Sequence, residues 1–324
     1  MLQNPQFDPR PLGHELYQIL VANLANDLLQ AKAKTVMWSL DGALRYLPVA
    51  ALYDGSHYLV EQYALSVFTP ASNARLKDRP DPRWQAAGFG VTRAHEGAPA
   101  LPGVAAELSG IIEQKTGQGG ILVGEIKLDD QFTEDAMRQT LLKHYTVVHI
   151  ASHFRFQPGN ETDSFLLLGD GNHLSLAELK SLPNLFGGVQ LLTLSACSTG
   201  LGDTNADGKE VEGLGVLSQR KGAKAVIASL WSVSDASTSL LMQDFYRARE
   251  SSATTKAEAL RQAQLALLQG TLTTTGVAVA DQALMHEPLV KEKQSKSPRF
   301  PLDPEIPYAH PYYWAPFFLM GNWL

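Results

Sequence analysis

Two short apolar runs constrain this chain more than any other feature of it. Val147-Val148-His149-Ile150-Ala151 and Leu191-Leu192-Thr193-Leu194 are each long enough for a buried strand and too short for an ordinary helix. Both break off into residues that carry chemistry. The first ends at Ser152-His153, and the second runs into Ser195-Ala196-Cys197-Ser198-Thr199-Gly200, which holds the single cysteine of the 324 residues.

If the two strands are parallel neighbours, their axes lie about 4.8 Å apart. Their carboxyl ends then share one crevice, the place where open α/β sheets bind ligands. Cys197 and His153 are expected side by side at its mouth. A free thiol has a pKa of about 8.5, so an adjacent imidazole is needed to raise the thiolate fraction. The same imidazole can protonate a leaving amine, and backbone N–H groups at the strand ends can hold an oxyanion. A lone cysteine is more often an inert core residue, but Cys197 lies beyond its apolar run, among Ser, Thr and Gly. His149 shares the face of His153 by the period of two. Flanked by apolar residues, it reads as a core histidine with its hydrogen bonds satisfied.

The rest of the chain fits an α/β protein. Hydrophobic residues make up 44% and charged residues 19%, enough to bury a sizeable core. A net charge of −6 gives no basic footprint, so nucleic acid is not an expected partner. No window has the eighteen or so uninterrupted apolar residues of a membrane span, and the first residues lack a signal-peptide pattern. One cysteine excludes an internal disulfide and any multi-cysteine zinc site. The expected compartment is the cytoplasm.

Along the chain, His14 to Leu29 carries one apolar stripe and predicts a helix. Thr35–Leu40, Leu44–Leu52 and Tyr63–Phe68 read as strands of a small antiparallel sheet, separated by turns at Asp41-Gly42 and Asp54-Gly55. The prolines at 80 and 82 suggest a boundary, with 1–79 as an N-terminal extension and 80–324 as the main α/β domain. Strands then alternate with helices: Trp84–Phe89, a helix over Pro102–Lys115, Ile121–Gly124, a helix over Thr133–His144, then the first apolar run. Phe165–Leu168 is a further strand, and Ser175-x-x-Glu178 is a capping box. After the second run come a helix around Gly213–Arg220, the strand Ala225–Leu230, and helices opening at Ser234 and Thr255. Periodicity is lost over 271–309, which predicts a long mobile surface loop. The aromatic run His310–Trp323 predicts core and edge-strand packing.

Several motifs fail. There is no G-x-S-x-G, the glycines near Lys209 are spaced wrongly for a P-loop, and the histidine-glutamate pairs lack a second histidine. Asp203-Thr-Asn205-Ala-Asp207-Gly208 matches the first positions of a calcium loop, but Leu214 stands where the last ligand belongs. Ordinary turn chemistry is the expected reading. A calcium site at Asp203, Asn205 and Asp207 is the alternative.

Taken together, the stretches Ser39–Leu52, Leu101–Glu107, His149–His153, Leu194–Gly200, Glu212–Gly215, Gly222–Asp235 and His310–Pro316 resemble a CHAT domain. This is a caspase/separase-like cysteine peptidase domain often linked to tetratricopeptide repeats. The resemblance implies a three-layer α/β sandwich, mostly parallel, with helices on both faces. It puts a dyad at His153 and Cys197, and the oxyanion on the N–H groups of Cys197 and of the residue after the histidine. That residue is often glycine and here is Phe154. It also implies that the residue after the next strand, Asp235, lines the S1 pocket, where an acidic floor selects Arg or Lys at P1 by charge pairing. Capping α-helix 235 onward is the alternative role for Asp235. With a basic P1, the Lys291–Arg299 segment becomes a candidate self-cleavage site.

The expected function is therefore a cysteine endopeptidase acting on a peptide or protein substrate, with no cofactor required by the chemistry. The expected partner is a tetratricopeptide-repeat region in the same full-length protein or in another chain. The alternative is a catalytically silent CHAT module that serves as an interaction or signalling partner of such a region.

Overall fold

The computed structural model describes residues 2–115, 117, 119–155, 157, 160–195, 209–231, 233, 235–252, 254–272 and 298–324. The chain opens on α1 (Arg10–Leu20) and α2 (Ala25–Gln30), then β1 (Thr35–Trp38), α3 (Leu59–Gln62) and β2 (Ala64–Val67). Next come β3 (Ala86–Gly90), α4 (Val104–Ile111), β4 (Ile112–Glu113), β5 (Leu122–Leu128), α5 (Glu134–Leu141) and β6 (Val147–Ala151). Three short strands follow, β7 (Phe154–Arg155), β8 (Phe165–Leu167) and β9 (His173–Ser175), and then α6 (Leu176–Ser181). The last elements are β10 (Leu191–Ser195), α7 (Lys209–Arg220), β11 (Ala225–Ser229), α8 (Asp235–Ser252), α9 (Lys256–Leu268), α10 (Pro311–Trp314) and β12 (Phe317–Gly321).

Among the described residues, nine strands form one sheet in the order β1-β2-β12-β11-β10-β6-β3-β5-β4. Neighbours are parallel throughout except β11 with β12. Strands β7, β8 and β9 make a separate antiparallel sheet. The period of two gives the large sheet two buried faces. Val147, Ala151, Leu191 and Ile227 pack with Leu108 of α4, Phe245 of α8 and Leu260 of α9. Val148, Ile150, Leu192 and Val226 pack on the other side with Met137 of α5, Leu179 of α6 and Leu217 of α7. The result is the expected three-layer sandwich. Each leucine or isoleucine sealed in it contributes roughly 1.5–3 kcal/mol relative to exposure.

Helix α4 lies close on β3 because that strand carries glycine where the helix crosses. A Cβ on Gly90 would stand 2.5 Å from Val104 Cγ1, and one on Gly88 3.1 Å from Leu108 Cδ2. The bare backbone admits the helix. This close approach brings Glu107 of α4 over β6 and β10.

The capping box at Ser175 and the N-cap at Thr255 read from sequence are formed. Ser175 Oγ accepts from Glu178 N at 3.1 Å, and Thr255 Oγ1 accepts from Glu258 N at 3.2 Å. Three readings are corrected. Leu44–Leu52 is no strand: it winds into two 3-10 turns, Gly42–Tyr46 and Val49–Ala51, and β1 pairs with β2 in parallel. Asp41 Oδ1 accepts from Gly42 N at 2.8 Å and starts the turn, and Pro48 has no N–H to give a ladder. The helix expected to reach Lys115 stops at Ile111, where β-branched Ile112 enters β4 beside β5. Strand β12 is interior, since β2 and β1 lie outside it. None of the described helices is long and apolar enough to cross a membrane. Most of the loop expected at 271–309, residues 273–297, lies outside the described residues.

Candidate active site at the β6 and β10 tips

Strands β6 and β10 are parallel neighbours, paired from Val147 with Leu191 to Ala151 with Ser195. The ladder continues one step further, as Ser152 N donates to Ser195 O at 3.3 Å. Ser152 is buried, and its Oγ donates to Leu167 O at 2.6 Å, tying the end of β6 to β8. The next residue, His153, is half-buried at the rim.

His153 Nε2 lies 2.8 Å from Pro99 O in the loop after β3. A carbonyl oxygen only accepts, so Nε2 carries the proton and Nδ1 holds the lone pair of the neutral ring. Phe154 follows in extended strand backbone, with no left-handed φ required of it. His153 O accepts from Leu167 N at 2.9 Å. By the alternation of an antiparallel ladder, the Phe154 N–H therefore turns away from β8.

Of the other residues singled out in the sequence, Cys197, Asp203, Asn205 and Asp207 lie outside the described residues. Asp235 opens α8, the helix after β11, and β11 is the neighbour of β10; the Asp235 side chain is not among those described.

Below the rim lies a sealed polar layer. His149 is fully buried, with Nε2 2.9 Å from Glu107 Oε1 and Nδ1 3.2 Å from the Tyr246 hydroxyl. Ser195 Oγ donates to the same Glu107 Oε1 at 2.8 Å, and Thr193 Oγ1 is 2.7 Å from the Tyr246 hydroxyl. His149, Thr193 and Ser195 share one sheet face by strand period, and α4 and α8 supply Glu107 and Tyr246 opposite them. Burial, with the Glu107 charge adding to it against the Thr193 hydrogen bond, pushes the Tyr246 phenol well above its ordinary pKa.

The expectation for His149 holds, whereas Glu107 was not singled out as a site residue. The signal was present. Glu107 is three residues after Val104 and one before Leu108, so a carboxylate sits on the buried stripe of its helix. Pro99 gave no signal, because it acts through its backbone carbonyl.

A mostly parallel sheet between two helical layers is a caspase-like fold. Solved structures with this fold include the complex of the pro- and mature domains of RgpB from Porphyromonas gingivalis. The TM-score is 0.52 at 12% identity, over 96% of this chain and 71% of that one. Another is the Arg-specific cysteine proteinase gingipain R (RgpB), with a TM-score of 0.50 at 12% identity, over 97% of this chain and 66% of that one. At such identity the likeness is one of fold. No curated protein sequence matches the chain. The sequence profile of the CHAT domain matches residues 10–322, and the chain belongs to that family.

Proposed function

We propose that this CHAT domain is a cysteine endopeptidase with Cys197 as nucleophile and His153 as its base. One observation carries the reading. Ala151 and Ser195 are paired at the ends of parallel neighbouring strands, and His153 and Cys197 are each the second residue beyond those partners. The Pro99 carbonyl supports it by fixing the His153 tautomer, which leaves Nδ1 to take the thiol proton.

In this scheme the thiolate sulfur forms a bond to the peptide carbonyl carbon. The carbonyl electrons move to oxygen, held by the N–H groups of Cys197 and Phe154. Collapse of the tetrahedral intermediate expels the amine, protonated by the His153 imidazolium. Water then hydrolyses the thioester.

Asp235 is our assignment for the S1 floor, which gives preference for Arg or Lys at P1. Its place after the strand next to β10 supports this, as does the description of one fold neighbour as Arg-specific. A tetratricopeptide-repeat region is the partner proposed to control the site.

The test is covalent labelling by peptidyl electrophiles. We expect one adduct, on Cys197, that is lost in His153→Ala, together with cleavage of a peptide library after basic residues that is lost in Cys197→Ala. Labelling that is indifferent to His153 overturns the dyad and leaves the silent interaction module as the function.

A further inference from the structure

The sealed layer beneath the rim holds a carboxylate that the chemistry above does not use. Glu107 is 3% exposed and sits in a helix whose other inward residues, Val104, Leu108 and Ile111, are apolar. Packing alone does not call for a carboxylate there. Removing a charge from water is costly, and a well-packed apolar side chain of similar size serves stability as well or better. What Glu107 gains is geometry, since its Oε1 is the shared acceptor for His149 Nε2 on β6 and Ser195 Oγ on β10.

Ser195 is the last residue of β10 and is fixed twice. Its side chain is held by Glu107 at 2.8 Å, and its carbonyl accepts from Ser152 N at 3.3 Å. Ser152 in turn immediately precedes His153. Helix α4 reaches the other side of the site as well, because the loop leading into it contains Pro99, whose carbonyl holds His153 Nε2. One helix and its lead-in loop thus hold the ends of both strands.

We propose that Glu107 is a positioning residue for the nucleophile: through Ser195 Oγ it fixes the end of β10, two residues before Cys197 in the sequence. This rests on the reading of Cys197 and His153 as the dyad. Glu107 is sealed at 3% exposure against His149 and Ser195, so its removal is expected to act on the rate of bond formation and not on substrate binding.

The experiment uses the full chain and the most reactive member of a panel of peptidyl acyloxymethyl ketones, with kinact and KI read separately. Ser195→Ala and Glu107→Leu are expected to lower kinact by about tenfold to a hundredfold with KI unchanged, since small misplacements of reacting groups cost this much. Glu107→Gln keeps an amide oxygen that can accept from Ser195, and is expected to recover much of the loss. The double variant Glu107→Leu/Ser195→Ala is expected to match the worse single one, because both remove the same contact.

Thermal unfolding of each variant identifies any that fails to fold. Ser195→Ala deletes only a hydroxyl and Glu107→Gln preserves shape, so the contact remains testable by either. Wild-type kinact in folded Ser195→Ala and Glu107→Leu overturns the Glu107 proposal while the dyad stands. Absence of wild-type labelling, or labelling unaffected by His153→Ala, brings down the dyad and this proposal with it.

Discussion

His149 and His153 stand four residues apart on one stretch of chain, and they occupy opposite environments. In the sealed layer both ring nitrogens of His149 are matched, to Glu107 and to Tyr246. At the rim, among the described residues, only Nε2 of His153 has a partner, the Pro99 carbonyl. Burial explains the difference. A polar group cut off from water must be satisfied by the protein or it costs free energy. At the rim the half-buried ring of His153 is within reach of water, and a lone pair can be kept for chemistry. Residue type alone therefore does not separate the histidine proposed as the base from the buried one; the end of the strand does.

The sharpest way to break this comparison is to remove the imidazole at the rim. His153→Ala is expected to lower kcat/KM on a cleavable peptide by about a thousandfold or more, in line with loss of a member of a nucleophile–base unit. Its thermal midpoint is expected to stay near that of wild type, because the side chain is at the rim. If His153→Ala keeps its activity, the rim has no chemical role and the division between the two regions fails. Peptide turnover and a thermal melt on the same sample decide the point.

A second test sharpens the rim's specificity. Asp235→Asn is expected to reduce kcat/KM for peptides with Arg at P1 by about tenfold to a hundredfold, the worth of one hydrogen bond to a charged group. Peptides with a neutral P1 should be little affected. An equal loss for both sets would move Asp235 from the pocket to the cap of α8.

Such a division between rim and layer was only partly legible in the sequence. Strands β6, β10 and β11 announce themselves, because each is a short, mostly apolar run too brief for an ordinary helix. The capping residues Ser175 and Thr255 are similarly local signals. Strand β12 is different. Its place between β11 and β2 comes from pairing Phe317–Gly321 with residues far earlier in the chain, and no local pattern encodes such a partner. The same holds for β1 and β2, whose strands were found but whose parallel pairing was not. At the site, a strand-end histidine was legible. A backbone carbonyl such as Pro99 leaves no trace in a sequence, and Glu107 was legible as a carboxylate on an apolar helical stripe while its partners on β6 and β10 were not.

The sealed layer should answer in stability where the rim answers in rate. Tyr246→Phe removes the hydroxyl shared by His149 Nδ1 and Thr193 Oγ1 and leaves both buried. We expect a loss of about 1–3 kcal/mol in urea unfolding, the cost of unsatisfied buried groups. Unchanged stability would mean that His149 and Thr193 find other partners.

A last test concerns a second sealed group, Lys256, at the start of α9. It is fully buried, and its Nζ donates to Asn322 Oδ1 at 3.1 Å and to the carbonyl of Leu324. Burial, reinforced by the charges of Arg249 and Lys224, lowers its pKa from the ordinary 10.5 to about 7. The sign follows from proton counting. Between these two values the unfolded chain binds a proton that the folded chain does not, so stability rises with pH across that window. Below it both states are protonated, and the folded protein bears the full cost of a buried charge. Above it both are neutral, and the cost is gone. Because other groups titrate over the same range, the quantity to measure is the difference in unfolding free energy between wild type and Lys256→Met, which keeps the bulk and removes the proton. That difference should move in favour of wild type as pH rises from about 7 to about 10. A flat difference would mean that folded Lys256 keeps an ordinary pKa, and that this buried amine is served by its two acceptors well enough to remain charged.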